Sequence, residues 1–214
     1  MSVQNEALKA AILEDRRPLL LRRCVPAAAV DAWAAAMLDE SVPAERPLVP
    51  LEGEDTVSNE RNALGALPTT VRCLLAGDSA GQLRTDAPAV DELGPLLAGL
   101  EDEGVTVRRA VAFVTSARLR TPMHSDADDG LLVHCRGEKR FVLAPPTAFE
   151  VLERYSRTSG AHDDVFRGAG GLVSGELRPG DALYLPRRWL HDVESRTATL
   201  SVALRFDLPC HMAF

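Results

Sequence analysis

Apolar residues in the first half of the chain recur mainly at helical spacing, and those in the second half mainly in short strand-like runs. Residues 5–13 carry a short helical pattern. Pro18, Leu19, Leu20 and Leu21 form a brief apolar run between charged neighbours, which reads as a buried strand. Val30, Trp33, Ala34, Met37 and Leu38 follow the i, i+3, i+4, i+7, i+8 pattern of an amphipathic helix, with Pro26 near its start where proline is tolerated. Residues 41–70 are rich in Pro, Gly, Asn and charge and read as loop, with a strand at Leu48-Val49-Pro50-Leu51. Val90, Leu93, Leu97 and Leu100 give a second helical pattern, which Gly94-Pro95 is expected to break or kink.

Near residue 105 the pattern changes. Residues 105–116 carry Val105, Val107, Val111, Phe113 and Val114, as a strand would. Two further apolar runs, 131–135 and 140–143, flank Gly137-Glu138 as in a hairpin, and Pro145-Pro146 ends the second. Residues 147–171 read as helix then loop. A short strand interrupted by its glycine fits 172–178, and Pro179-Gly180-Asp181 makes a turn. Strands at 182–185, around Val193 and at 198–206 complete the series. Many short strands with Gly and Pro turns predict a mainly β fold with flanking helices, a sandwich or jelly roll. The expected organisation is one domain over 1–214, with a helix-rich part at 1–104 and a β core at 105–214.

The 214 residues suffice for one sizeable core, and 46% apolar with 26% charged content is ordinary for a soluble globular protein. A formal net charge of −7 argues against a broad nucleic-acid footprint, so no nucleic-acid partner is expected. Neither a secretory leader nor an apolar run of membrane-spanning length is evident. Cys24, Cys73, Cys135 and Cys210 are widely spaced without a Cys-x-x-Cys, which predicts reduced thiols and a cytoplasmic protein without a membrane partner.

The chemistry centres on Thr121-Pro122-Met123-His124-Ser125-Asp126 and on Pro186-Arg187-Arg188-Trp189-Leu190-His191. Residues two apart on a strand point to one face, so His124 and Asp126 could grip one metal from one side. His191, beyond a proline turn, could close the site from the opposite sheet. Two imidazoles and a carboxylate leave coordination positions open and suit Fe(II), whereas a set of thiolates would suit zinc. A His-x-Asp pair by itself usually marks a solvated turn, and a lone His after Trp is usually packed or surface-exposed. The joint pattern, in a chain with five histidines, is what points to metal.

Gly180-Asp181 through His191 resembles the second metal motif of cupin-type Fe(II)/2-oxoglutarate oxygenases, and 121–126 resembles the first. Gly137-Glu138-Lys139-Arg140-Phe141-Val142-Leu143 resembles the strand that carries the cosubstrate lysine. The chain is similar to the JmjC-like hydroxylases, near the asparaginyl hydroxylase branch that acts on the hypoxia-inducible factor. This resemblance runs from about 107 to 206 and implies a double-stranded β-helix. It implies Fe(II) on His124, Asp126 and His191. It also implies 2-oxoglutarate as cosubstrate, its distal carboxylate held by Lys139 and Thr121. Tyr184 is a further candidate donor, and Arg205 competes with Lys139, because an arginine can clamp a carboxylate through two parallel bonds. The branch carries an amide where this chain has Arg205, and amides where Ala127-Asp128-Asp129-Gly130 stands. Asp128 and Asp129 could recognise a basic group or simply solvate a loop. The implied activity is hydroxylation of a C–H bond on a peptide, protein or small-molecule substrate. Tyr155 and His162 would lie near the entrance, and oligomeric state is left open. Two other readings stay open: a cupin enzyme that uses its metal without 2-oxoglutarate, and a non-catalytic cupin that binds a small molecule or partner.

Overall fold

The computed structural model describes residues 2–36, 48–49, 71, 74–78, 82–87, 93–148 and 172–209. The expectations placed on Met37 and Leu38, most of 41–70, Val90, Tyr155 and His162 in 147–171, Cys73 and Cys210 lie outside the described residues.

Helix α1 (Val3–Ala10) begins where the Ser2 hydroxyl accepts the Asn5 N–H at 3.2 Å, with Glu6 in the first turn and Lys9 in the last. It widens into a π-type turn over Ala11–Asp15 and stops at Arg16, whose φ of 51° is left-handed. Leu8 and Ile12, four residues apart, are fully buried on one face. Strand β1 (Leu19–Leu21) and helix α2 (Ala27–Ala36) follow, the latter burying Ala29, Val30 and Trp33. Next come β2 (Leu48–Val49), β3 (Gln82–Asp86) and the short α3 (Gly94–Leu97). Pro95 lies in the first turn of α3, where an N–H has no partner within the helix and proline is tolerated. The Asn5 amide donates to the carbonyl oxygens of Leu96 and Ala98 at 2.7 and 2.9 Å, joining α1 to α3.

The remaining strands are β4 (Thr106–Thr115), β5 (Leu119–Ser125), β6 (Asp129–Arg136), β7 (Lys139–Ala144), β8 (Val173–Leu177), β9 (Ala182–Leu185), β10 (Leu190–Ser195) and β11 (Thr199–Asp207). Among the described residues they form two antiparallel sheets, ordered β1-β9-β6-β11-β4-β3-β2 and β5-β10-β7-β8. Consecutive strands β9, β10 and β11 alternate between the sheets, as in a jelly roll of the cupin type. The boundary expected near residue 105 does not divide the sheet. Leu19 pairs with Tyr184 and Leu83 with Val114, so β1 and β3 extend the larger sheet on both sides of the β core.

Alternation along the strands separates two cores. In β6, β9 and β11, Leu131, Val133, Ala182, Tyr184, Leu200, Val202 and Leu204 pack outward beneath the helices, against Leu8, Ile12, Val30 and Trp33. The intervening Leu132, Leu183 and Leu185 face inward, where they meet Phe141, Leu143 and Leu177 of the smaller sheet, with Trp189. Gly175 makes room for this packing, since a Cβ there would sit 2.7 Å from the Phe141 ring. Gly180-Asp181 has a structural task. The Asp181 carboxylate accepts the backbone N–H groups of Arg23 and Arg178, both at 3.0 Å, and the Arg22 guanidinium at 2.7 Å. It thereby ties the turn before β9 to the end of β1.

Candidate metal centre

The inward face of the smaller sheet brings the two histidines together. His124 of β5 lies directly opposite His191 of β10, with ring centroids 4.1 Å apart and planes tilted by 54°. Asp126 follows the end of β5, and its Oδ2 stands 3.8 Å from His191 Nε2. One ligating atom from each of His124, Asp126 and His191 falls within 4.8 Å of the others. The backbone locks the two segments to each other. Arg188, at a left-handed φ of 66°, donates its N–H to the Asp126 carbonyl oxygen at 2.9 Å.

A bulge sets the rest of this face. Between β5 and β10 the register slips: His191 opposes His124, but Val193 opposes Thr121, so β5 carries one extra residue. Pro122, which has no N–H for a ladder, falls in that interval on an edge strand. Thr121 and His124 are three apart and would face opposite sides of a regular strand; the bulge puts both on the inward face.

Electrostatics prepare the triad for a cation. Burial and the neighbouring His124 pull His191 down to about 4, against the opposing pull of Asp126. His191 is therefore a neutral imidazole at physiological pH. Burial alone would raise Asp126, but the Arg205 guanidinium and then His191 outweigh it and hold the carboxyl below its ordinary value. Arg205 Nη1 is 2.5 Å from Asp126 Oδ2.

Lys139 starts β7 on the same face as Phe141 and Leu143, and only 4% of it is exposed. Burial draws its ammonium down to about 8, with Cys135 opposing; no carboxylate among the described residues acts on it. It pairs with Ser195, four positions along β10 from His191, a rise of about 13 Å. The lysine stem covers part of that distance. Beside it, His134 is held by Ser201 Oγ at 3.0 Å on Nδ1 and the Gly137 carbonyl oxygen at 2.9 Å on Nε2. A carbonyl only accepts, so Nε2 carries the proton.

Tyr184 does not join this face. Its hydroxyl donates to Asp129 Oδ1 at 2.8 Å and accepts from Arg16 at 2.9 Å, on the outward side of β9. Asp129 is buried and also meets Arg16 Nη2 at 2.7 Å, while Asp128 pairs with Arg108 at 2.6 Å. Both acids are thus engaged by the protein's own arginines. Arg205 does face inward, but at the metal end and on Asp126, away from Lys139. Its ion pair with Asp126 and the tie between Arg188 and Asp126 were not foreseen from the sequence; neither has a local signature, because both depend on the pairing of distant strands.

The model of the family described as JmjC domain matches residues 101–213, just over half of the chain. The chain belongs to the JmjC domain family. It is also similar to the tRNA wybutosine-synthesizing protein 4 of Aspergillus oryzae, 25% identical over 94% of this chain. The chain spans only 22% of that relative's length. The matched JmjC segment contains all three triad residues, Lys139 and Arg205. Its donor set fits an iron ion: two imidazoles and one carboxylate, with a ligating atom from each within 4.8 Å of the others. No helix among the described residues is long and apolar enough to cross a membrane. Cys24 and Cys135 are free thiols.

Proposed function

We propose that this JmjC domain is an Fe(II)- and 2-oxoglutarate-dependent dioxygenase that hydroxylates a C–H bond on a peptide or protein side chain. The observation that carries this reading is Lys139, a buried ammonium on the inward face of the barrel that holds the His124–Asp126–His191 triad. Burying a cation without a fixed anion is costly, and a site tolerates it where an anionic ligand will arrive. A five-carbon diacid would fit, with one end at the triad and its distal carboxylate on Lys139, supported by the Thr121 hydroxyl. This preference for Lys139 over Arg205 rests on the engagement of Arg205 by Asp126. The finer likeness to the asparaginyl hydroxylase branch is supported by the Thr121, His124, Asp126 and Lys139 spacing, and Arg205 marks the departure from it.

Iron bound at the triad would supply activation of O2, with 2-oxoglutarate oxidised to succinate and CO2 as the substrate C–H is hydroxylated. The chain's own part is positioning. His191 Nδ1 is bonded to the Trp189 carbonyl oxygen at 3.1 Å, which turns Nε2 toward the centre. Leu143, Leu183 and Leu185 keep the inter-sheet space apolar, and Lys139 fixes the cosubstrate's far end.

The testing experiment is an anaerobic titration with Fe(II) and 2-oxoglutarate. A weak visible charge-transfer band is expected, and it should be lost in His124→Ala. A wild-type protein that binds Fe(II) but shows no such band with 2-oxoglutarate would favour a metal enzyme that does not use it. A second reading of the substrate, a nucleoside of tRNA, is favoured by the name of the Aspergillus relative, a tRNA wybutosine-synthesizing protein, while the net charge of −7 weighs against a broad RNA footprint. Peptide and tRNA pools assayed in parallel for a gain of one oxygen atom separate the two.

A further inference from the structure

Arg205 occupies an unusual place for a permanent cation, because its partner is the carboxylate of the metal triad. It projects inward from β11, where Leu204 and Phe206 on either side pack outward. Gly130 stands directly opposite in β6. A Cβ at Gly130 would lie 3.2 Å from Arg205 Nη1 and 3.8 Å from its Cδ. The guanidinium therefore lies against the bare backbone of Gly130 as it reaches Asp126. It bonds Oδ2, the oxygen that stands 3.8 Å from His191 Nε2. Arg205 is 13% exposed and Asp126 30% exposed, so water screens the pair only in part. The other acids of that end are engaged elsewhere, Asp128 with Arg108 and Asp129 with Arg16.

We propose that Arg205 is a built-in counter-ion of the triad, a positioning residue that holds the Asp126 carboxylate in its ligating orientation and competes with the divalent metal for it. The proposal rests on the triad reading above. Two opposing effects decide its sign. A fixed hydrogen bond orients Asp126 and would favour binding. Against that, a guanidinium keeps its charge at any pH the protein survives, and a divalent ion must enter beside it while weakening a charge-assisted bond. For charges this close and only partly solvated, repulsion and the lost bond outweigh the orientation. The device thus lowers metal affinity while keeping the Asp126 carboxylate hydrogen-bonded in the metal-free protein. Gly130 belongs to it, since a Cβ there would press on the guanidinium, which would have to give by a few tenths of an ångström.

The test is the affinity of metal-free protein for Mn(II), Co(II) and anaerobic Fe(II), measured by calorimetry and, for cobalt, by its visible spectrum. Arg205→Gln should bind each ion about ten- to a hundredfold more tightly than wild type, the range expected for one charge-assisted bond. Arg205→Lys, which keeps the charge, should stay within a few-fold of wild type. Gly130→Ala keeps the Arg205 side chain but presses on its guanidinium, and should move affinity in the same direction as Arg205→Gln. Unchanged or weaker binding by Arg205→Gln, with a metal-free melting transition showing that it is folded, would overturn the proposal. If Arg205→Gln does not fold, Gly130→Ala decides alone by the same criterion. Wild-type protein that binds none of the three ions would instead remove the triad reading on which the inference stands.

Discussion

The Nδ1 of His191 lies 3.1 Å from the backbone carbonyl oxygen of Trp189, two residues before it in the chain. A carbonyl only accepts, so Nδ1 must carry the proton and Nε2 keeps its lone pair, the form a metal requires. The turn Pro186–Trp189 thus selects the tautomer as well as the position of the ring. His191→Ala should weaken Mn(II) or Co(II) binding by more than roughly a hundredfold, beyond the loss usual for an outer partner of a ligand. Calorimetric titration of the metal-free variant checks this; an affinity near wild type would remove His191 from the centre.

Lys139 yields a prediction in which stability and ligand binding move in opposite directions. Its folded value of about 8 lies below the ordinary 10.5, so the buried ammonium costs stability at every pH below about 8. That cost fades as pH rises from about 8 through 10.5, above which both folded and unfolded chains are neutral at this position. Lys139→Met should therefore be more stable than wild type at pH 7, by up to about 3 kcal/mol, and equal to it near the ordinary lysine value. The same variant should show no rise in melting temperature when 2-oxoglutarate is added with Mn(II), whereas wild type should. Loss of stability in Lys139→Met at pH 7 would mean that the ammonium is satisfied in the free protein.

Acid should unfold the metal-free protein through two buried imidazoles. Burial, chiefly, pushes His134 and His191 each down to about 4 from 6.5. Above pH 6.5 both are neutral whether folded or unfolded, and their contribution is fully present. Between 6.5 and about 4 the unfolded chain takes up two protons that the folded chain refuses, so stability falls by up to roughly 2.7 kcal/mol per pH unit. Urea unfolding at a series of pH values from 7 to 4.5 measures the slope, and a flat profile contradicts it.

Asp129 accepts from Tyr184 and Arg16 while only 3% exposed. Asp129→Ala leaves the half-buried Arg16 guanidinium without its partner and should cost about 3–5 kcal/mol. Tyr184→Phe should cost about 1 kcal/mol through its lost hydrogen bond and leave 2-oxoglutarate affinity unchanged. Denaturant unfolding measures the first effect, and a shift in cosubstrate affinity in Tyr184→Phe would reopen a role for its hydroxyl in the pocket.

The strands with β-branched or leucine-rich runs were legible in the sequence: β1, β4, β6, β7, β9 and β11 match the expected segments to within two residues at either end, because alternation and turn residues mark them locally. β3 was not, since Gln82-Leu83-Arg84-Thr85-Asp86 contains one apolar side chain and joins the sheet by pairing with β4. Gly94-Pro95, expected to break or kink a helical pattern, lies in the first turn of the four-residue α3, where proline is tolerated. At the site, His124, Asp126 and His191 were legible because their neighbours form separable motifs, and the structure brings all three together. The side of β9 that Tyr184 takes could not be read from a four-residue run with no polar alternation. Arg205 could be placed on its strand from sequence, but the partner it reaches, Asp126, lies seventy-nine positions away.

Because His124 and His191 are cross-strand partners, the bite of the centre is a spacing between two backbones. Side-chain fashion elsewhere on the barrel has little leverage over it. The loops beyond the strand ends can therefore be rewritten during evolution, lengthened or recharged to admit a different molecule, without retuning the grip on the ion. A protein engineer gains the same freedom: new specificity can be sought at the rim while the geometry of the triad is inherited unchanged.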